Sequence, residues 1–298
     1  MTGDSLVSYM LKALRSLGNT TSLGGRLRLP QSILRRVFRL VKHEITVPDF
    51  DGAYRVRLRL SEHMQRRIFW MGYYSADIVA FLKRVLRPGM VVIDVGANIG
   101  EITLVAARRV GDSGRVIAVE PVNVIADRLS EHVRVNDLSQ VTIVREALGS
   151  AGQDQVPIYA SCGQDVSDEH QGLASLYGES EGHEPIELVS ITTLDDMAAS
   201  LHLARVDLIK IDIEGGELAC LQGAEAVLRR FRPMLIVEVQ DFSARQAGWN
   251  VKELFQYLRG FGYEFFKVGP KGRLNLLDLN SLTDFQNVLC RVREGLGE

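Results

Sequence analysis

The chain of 298 residues has little cysteine and no long apolar run, and each absence excludes a class of protein. Its three cysteines, Cys162, Cys220 and Cys290, are odd in number, far apart and without a CxxC pair. Neither a disulfide framework nor a zinc knuckle is expected, and all three read as reduced thiols in a cytosol. No stretch of about 18 uncharged apolar residues is available to span a bilayer. The N-terminus also lacks the apolar run and small-residue cleavage site of a signal peptide. The expected location is cytoplasmic. An excess of positive charge is missing too: the net charge of −2 leaves no footprint for a nucleic-acid track, which needs many Lys and Arg against phosphates. No nucleic-acid partner is expected. The six histidines form no ligand-like cluster, and no internal repeat is visible. What is present, 46% hydrophobic and 24% charged residues, suits one large core or one core with an appendage.

Charge is unevenly placed along the chain. Residues 1–43 carry eight Lys or Arg against the single acid Asp4. Within this basic arm LPQSILRRVFRLVKH places Ile33, Leu34, Val37, Phe38 and Val41 at helical spacing with arginines opposite. The arm reads first as a surface helix packed on the domain, and second as a contact with a membrane surface or an anionic partner. Residues 146–204 hold no Lys or Arg at all, and 161–185 is rich in Gly, Ser, Asp and Glu. That segment reads as a long acidic loop, either a lid or disordered.

From residue 91 the pattern alternates. VVIDV (91–95), RVIAV (115–119), VTIVR (141–145), VDLIKI (206–211) and MLIVEV (234–239) are strand-like, and helical patterns cover 99–110, 123–136, 215–229 and 251–259. Near-continuous apolar strands separated by crossover helices predict a mostly parallel sheet in an α/β domain. YEFFKV and FQNVLCRV supply two closing strands, for seven in all. Ahead of them EITVPDF and YRVRLRL, around Asp51-Gly52, predict a β-hairpin. Tyr73 and Tyr74 read equally as a cover for a ligand or as packing.

In such sheets ligands sit beyond the C-terminal strand ends. The first exit turn reads Asp94-Val95-Gly96-Ala97-Asn98-Ile99-Gly100, which is G-x-x-x-G rather than G-x-G-x-x-G, and no G-K-[ST] follows. A carboxylate here repels a pyrophosphate and suits a cationic amino-acid end, such as that of S-adenosylmethionine (SAM). Twenty residues after Gly100, Glu120 ends the next strand, where an acid accepts hydrogen bonds from both ribose hydroxyls. A strand-capping acid is often only a helix cap, but the ordered pair describes a nucleoside with a zwitterionic tail.

DVGANIGEIT, VEP, EALG (146–149), SL (175–176), ITTLDD (191–196), DLIKIDIEGGE (207–217) and LIVEV (235–239) together resemble the motifs of FkbM-type methyltransferases, in order, over roughly residues 70–240. DVGANIG alone is shared by many methyltransferases, whereas its combination with DLIKIDIEGGE is specific. The resemblance implies a class I (Rossmann-like) fold, with helices on both faces of the seven-stranded sheet, SAM as cofactor, and O-methylation of a sugar or polyketide-type hydroxyl. It implies cofactor roles for Asp94, Gly96, Asn98, Gly100 and Glu120, with Ala97 and Pro121 in the same two turns, and an active-site location for Asp212, Glu214 and Glu238. The expected organisation is a basic arm and hairpin over 1–70 and a methyltransferase domain over 71–298. The expected acceptor is a small molecule or glycan.

Methyl transfer to an alcohol requires alignment of the two reacting atoms and removal of a proton. Asp212 and Glu214 follow the 206–211 strand and Glu238 lies near the exit of the next, so neighbouring strands bring three carboxylates together as a base with partners or as an oxygen-rich Mg²⁺ site. The metal-independent base is preferred, because Asp212 and Glu238 are the two firm oxygen donors and Mg²⁺ demands octahedral coordination. Glu217 reads as a first-turn acid favoured by the helix dipole, and Lys210 as an ion-pair partner of these acids. Two rivals stand beside this reading. An NAD-dependent oxidoreductase shares the strand-end acid but not the glycine spacing. A non-catalytic SAM-binding protein has no need of Asp212 and Glu238. No N-P-P-[YF]-like tetrapeptide for a flipped base is present.

Overall fold

The computed structural model describes residues 44–160, 174–177, 184–279 and 282–293. The basic arm over 1–43 and most of 161–185 lie outside the described residues. Contacts divide the chain after Tyr74 into two compact units.

In the first unit β1 (Glu44–Phe50) and β2 (Tyr54–Arg59) form an antiparallel hairpin around Asp51 and Gly52, which take φ values of 51° and 78°. Alternation puts Ile45, Val47, Val56 and Leu58 inside and Arg55 and Arg57 outside. Helix α1 (His63–Met71) follows. Arg66 on it is buried and donates from Nη1 to the Leu60 and Ser61 carbonyls, each at 3.0 Å. Tyr73 donates to Asp51 Oδ1 at 2.6 Å and meets Phe50 edge-on, and Tyr74 meets His63 edge-on beneath the Arg67 guanidinium.

The second unit begins with α2 (Ala76–Val85) and is built on an eight-stranded sheet. Its strands are β3 (Val91–Val95), β4 (Arg115–Val119), β5 (Val141–Val144), β10 (Leu208–Ile211), β11 (Met234–Gln240), β12 (Tyr263–Gly269), β13 (Arg273–Leu276) and β14 (Phe285–Val292), in the order β13-β12-β14-β11-β10-β3-β4-β5. The pairs from β5 through β11 are all parallel, and β14 runs antiparallel to β11 and β12. From β3 the chain first steps one way through α3 (Glu101–Val110), β4, α4 (Asn123–Val135) and β5, then returns to build β10 and β11 on the other side. Right-handed crossovers therefore place the helices of the two halves on opposite faces. Val92, Ile93, Asp94 and Val95 are all buried, as are all four residues of β10, as a sheet covered on both faces requires.

Two expectations are corrected, and four strands are present that no apolar run predicted. The sheet has eight strands, not seven, because RLNL pairs with β12 as an edge strand; its exposed, mixed composition carries no strand signal. On either side of the acidic loop expected over 161–185, and at its few described residues, β6 (Ala147–Leu148), β7 (Gln153–Ala160), β8 (Ala174–Ser175) and β9 (Glu187–Thr192) form a separate sheet in the order β6-β9-β7-β8, ahead of α5 (Leu194–Ser200). These strands are short or half-exposed, so no apolar run announced them. The helix expected over 215–229 is two helices, α6 (Glu217–Gln222) and α7 (Glu225–Phe231). They part at Gly223, where an added Cβ would stand 2.0 Å from the Gly149 carbonyl oxygen. Close passage of that backbone excludes any side chain. Two further helices, α8 (Asp241–Gln246) and α9 (Val251–Arg259), complete the unit.

Candidate active site

The strands β4, β3, β10 and β11 are consecutive in the sheet, so their exits lie side by side. The order reverses between β3 and β10, the switch point at which open α/β sheets bind ligands. Glu120, the 96–100 turn, Asp212 and Glu238 belong to these four neighbouring exits.

The β3 exit turn uses its own amides. Gly96 and Ala97 donate to the Val119 carbonyl at 3.0 Å, Asn98 to Glu120 Oε2 at 2.9 Å, Ile99 to Asn98 Oδ1 at 2.7 Å and Gly100 to the Ala97 carbonyl at 2.9 Å. A phosphate cradle needs backbone N–H groups directed at the ligand, and this turn has committed its five elsewhere. Gly96 (φ +73°) is required because a Cβ would meet the Asp212 carbonyl oxygen, and Gly100 (φ +98°) because a Cβ would press on Leu129 of α4. Ala97 packs in a small apolar cluster with Ala118 and Leu129, so only its backbone borders the turn. Pro121 is half-buried beside Glu120.

Asp94 is fully buried and turned inward. Its Oδ2 accepts from Thr103 at 2.6 Å, while Oδ1 has no hydrogen-bond partner. Lys210 Nζ is 3.6 Å from that oxygen, an ionic contact rather than a hydrogen bond. Burial pushes the Asp94 carboxyl above the usual range, against the pull of Lys210 and Thr103. Glu120 is likewise buried. Its oxygens accept from the Asn98 and Val122 amides at 2.9 and 3.1 Å, and desolvation raises its pKa to about 7 despite those bonds. A carboxylate oxygen has two acceptor sites, so each Glu120 oxygen has capacity for one more donor.

The second half of the site is a carboxylate cluster. Asp212, Glu214 and Glu238 each bring one oxygen within 4.8 Å of the others, a spacing that suits a shared proton or a cation. Burial, then repulsion from Asp212, raises Glu214 to about 7, although Ser243 Oγ donates to it at 3.2 Å. Burial and the charges of Asp212 and Glu214 push Glu238 well up, against the pull of Lys210. Lys210 Nζ lies 3.2 Å from Asp212 Oδ2 and donates to the Gly96 carbonyl at 3.0 Å. Burial disfavours its charge, but Asp212 and Asp94 outweigh this and raise its pKa.

The turn carrying Glu214 is held from several directions. Glu214 and Gly215 take positive φ, 51° and 103°. Glu217 is buried and its carboxylate accepts from the Ile213 and Gly215 amides at 3.1 Å, so it clasps the turn. Trp249 Nε1 donates to the Gly215 carbonyl at 2.7 Å and Ser175 Oγ to the Glu214 carbonyl at 2.8 Å. Thr103, Ser175, Ser243 and Trp249 escaped the sequence reading. Ser175 stood in the SL motif and Thr103 ended DVGANIGEIT, but Ser243 and Trp249 carry no local signal, since their partners are 29 and 34 residues away in the chain.

The sheet order and the aligned strand exits define a doubly wound α/β fold with these residues at its switch point. Residues 94–265 match the model of the methyltransferase FkbM domain, more than half of the chain. The protein belongs to that family. An alignment 250 positions long is 28% identical to part of the AMB antimetabolite synthetase AmbE of Pseudomonas aeruginosa, covering 74% of this chain but 11% of that protein. Among solved structures, the FkbM methyltransferase from Methylobacillus flagellatus aligns at 17% identity and a TM-score of 0.47, over 76% of this chain and 52% of that one. TYW2 from M. jannaschii, in complex with AdoMet, aligns at 14% identity and a TM-score of 0.43, over 83% and 84% of the two chains. The chain thus spans about a tenth of the curated relative and half of the FkbM structure. No helix among the described residues is long and apolar enough to cross a membrane.

Proposed function

We propose that the protein transfers the methyl group of SAM to a hydroxyl oxygen of a secondary metabolite or carbohydrate. The observation that carries this reading is the convergence of Asp212, Glu214 and Glu238 beside the β3 exit turn, joined to it by Lys210. The residues at the turn fit SAM: Asp94 Oδ1 is a buried acceptor without a hydrogen-bond partner, Glu120 has acceptor capacity, and the turn offers no amide cradle for a pyrophosphate. Asp94 and Glu120 would hold the amino-acid and ribose ends. The cofactor supplies an electrophilic methyl group when bound. An alcohol must lose its proton as it attacks, and a carboxylate with a raised pKa is a suitable acceptor near neutral pH. Glu238 takes that part, with Glu214 and Asp212 receiving or sharing the proton. Lys210 already places a cation at Asp212, which favours a base without Mg²⁺. The likeness to a segment of an antimetabolite synthetase supports a secondary-metabolite acceptor.

Calorimetry with SAM and with NAD in parallel tests the cofactor; binding of NAD alone would overturn the proposal. Methyl-labelled SAM, incubated with the protein and candidate acceptors, tests the chemistry. A hydroxyl acceptor gives a methyl ether, stable in alkali. Label found only as alkali-labile ester or on nitrogen would reject a hydroxyl acceptor.

A further inference from the structure

Lys210 stands where the cofactor turn meets the carboxylate cluster. It is the third residue of β10, between Ile209 and Ile211, and is buried like them. A buried ammonium is costly unless paired and hydrogen-bonded, and an ion pair alone would need one acid. This one bridges two strand exits: it lies 3.0 Å from the Gly96 carbonyl and 3.4 Å from the Val95 carbonyl of the β3 exit, and 3.2 Å from the Asp212 carboxylate after β10. Asp94 Oδ1, otherwise without a hydrogen-bond partner, lies 3.6 Å away.

We propose that Lys210 is a positioning residue for the cofactor. By holding the Gly96 carbonyl and compensating the Asp94 carboxylate, it sets the shape and charge of the turn that receives the amino-acid end of SAM, and through Asp212 it fixes that turn against the acceptor acids. The proposal rests on the reading that this turn binds SAM. The charged groups facing Lys210 are Asp94 on β3, Glu120 after β4, Asp212 and Glu214 after β10, and Glu238 on β11. Thr103 on α3 is the uncharged partner of Asp94. Burial favours protonation of Asp94 and Lys210 opposes it. Without the ammonium, Asp94 takes up its proton at a higher pH, so cofactor affinity falls away sooner as the medium is acidified.

The test is calorimetric titration of SAM into the wild type, Lys210→Gln and Lys210→Arg across a range of pH, with a thermal melt of each to verify folding. Gln keeps donors without the charge and Arg keeps the charge. Lys210→Gln is expected to bind SAM at least about tenfold more weakly near neutral pH, with its acid limb moved to higher pH, while Lys210→Arg retains the wild-type limb. Where Lys210→Gln does not fold, Lys210→Met carries the same expectation. An unshifted acid limb in the uncharged variants, with or without weaker binding, overturns the proposal and leaves the cofactor reading standing. No binding of SAM by the wild type overturns the cofactor reading and this proposal with it.

Discussion

The Asp212 carbonyl oxygen occupies the space that a side chain on Gly96 would need: an ideal Cβ there would stand 1.9 Å from it. The glycine of the β3 exit turn and the acid of the β10 exit are thus in backbone contact.

Gly96→Ala should therefore be destabilising out of proportion to its single methyl group. It combines a positive φ of 73° with a clash against backbone, which cannot rotate away as a side chain can. Strain of this kind costs roughly 1–3 kcal/mol before the clash is relieved, so a loss of at least about 2 kcal/mol is expected in urea denaturation. A midpoint equal to that of the wild type would show that the two exits part easily.

Removal of either strand-end acid should weaken SAM binding without unfolding the protein. A hydrogen bond to a charged group contributes about 1.5–3 kcal/mol, so Asp94→Ala and Glu120→Ala should each lose about tenfold or more in affinity by calorimetry. Asp94 Oδ1 and the two Glu120 oxygens have the capacity to accept, which is the structural basis of the expectation. Unchanged affinity in both variants removes it.

Glu238→Gln and Asp212→Asn should leave SAM affinity in place and lower turnover by roughly 10²–10⁴, the usual share of a general base. The rate of the wild type should rise with pH as the raised carboxyl of Glu238 loses its proton. Chelator should have no effect. Loss of activity in chelator, restored by Mg²⁺, would assign the three carboxylates to a metal instead.

The clasping acid Glu217 gives a prediction about stability. Its folded pKa is raised to about 7 from an unfolded value of 4.5, chiefly by burial and against the amides of Ile213 and Gly215. A raised acid binds more protons folded than unfolded, so its contribution is full below pH 4.5 and is lost as pH rises through about 7. Stability of the wild type should decline across that window, and Glu217→Gln should flatten the decline. Urea midpoints at either end of the window decide it; equal slopes in both proteins would mean that Glu217 does not carry the effect.

The parallel core of the sheet, and the places where acids interrupt it, are legible in the order of the residues alone. β3, β4, β10 and β11 are read directly from apolar runs, because strands covered on both faces admit little else, and Asp94, Glu120, Asp212 and Glu238 are visible because each breaks or ends such a run. Tertiary structure decided the rest. Half-exposed strands such as β7 and β13 leave no periodic trace, since their pairing, not their burial, makes them strands. The break at Gly223 depends on a backbone 74 residues earlier. Only the fold turned Asp94 inward onto Thr103 and set Lys210 between the Gly96 carbonyl and Asp212. Spacing along a chain fixes which strand ends in an acid, but the direction a buried carboxylate faces is settled by the cation and hydroxyl that neighbouring elements bring to it.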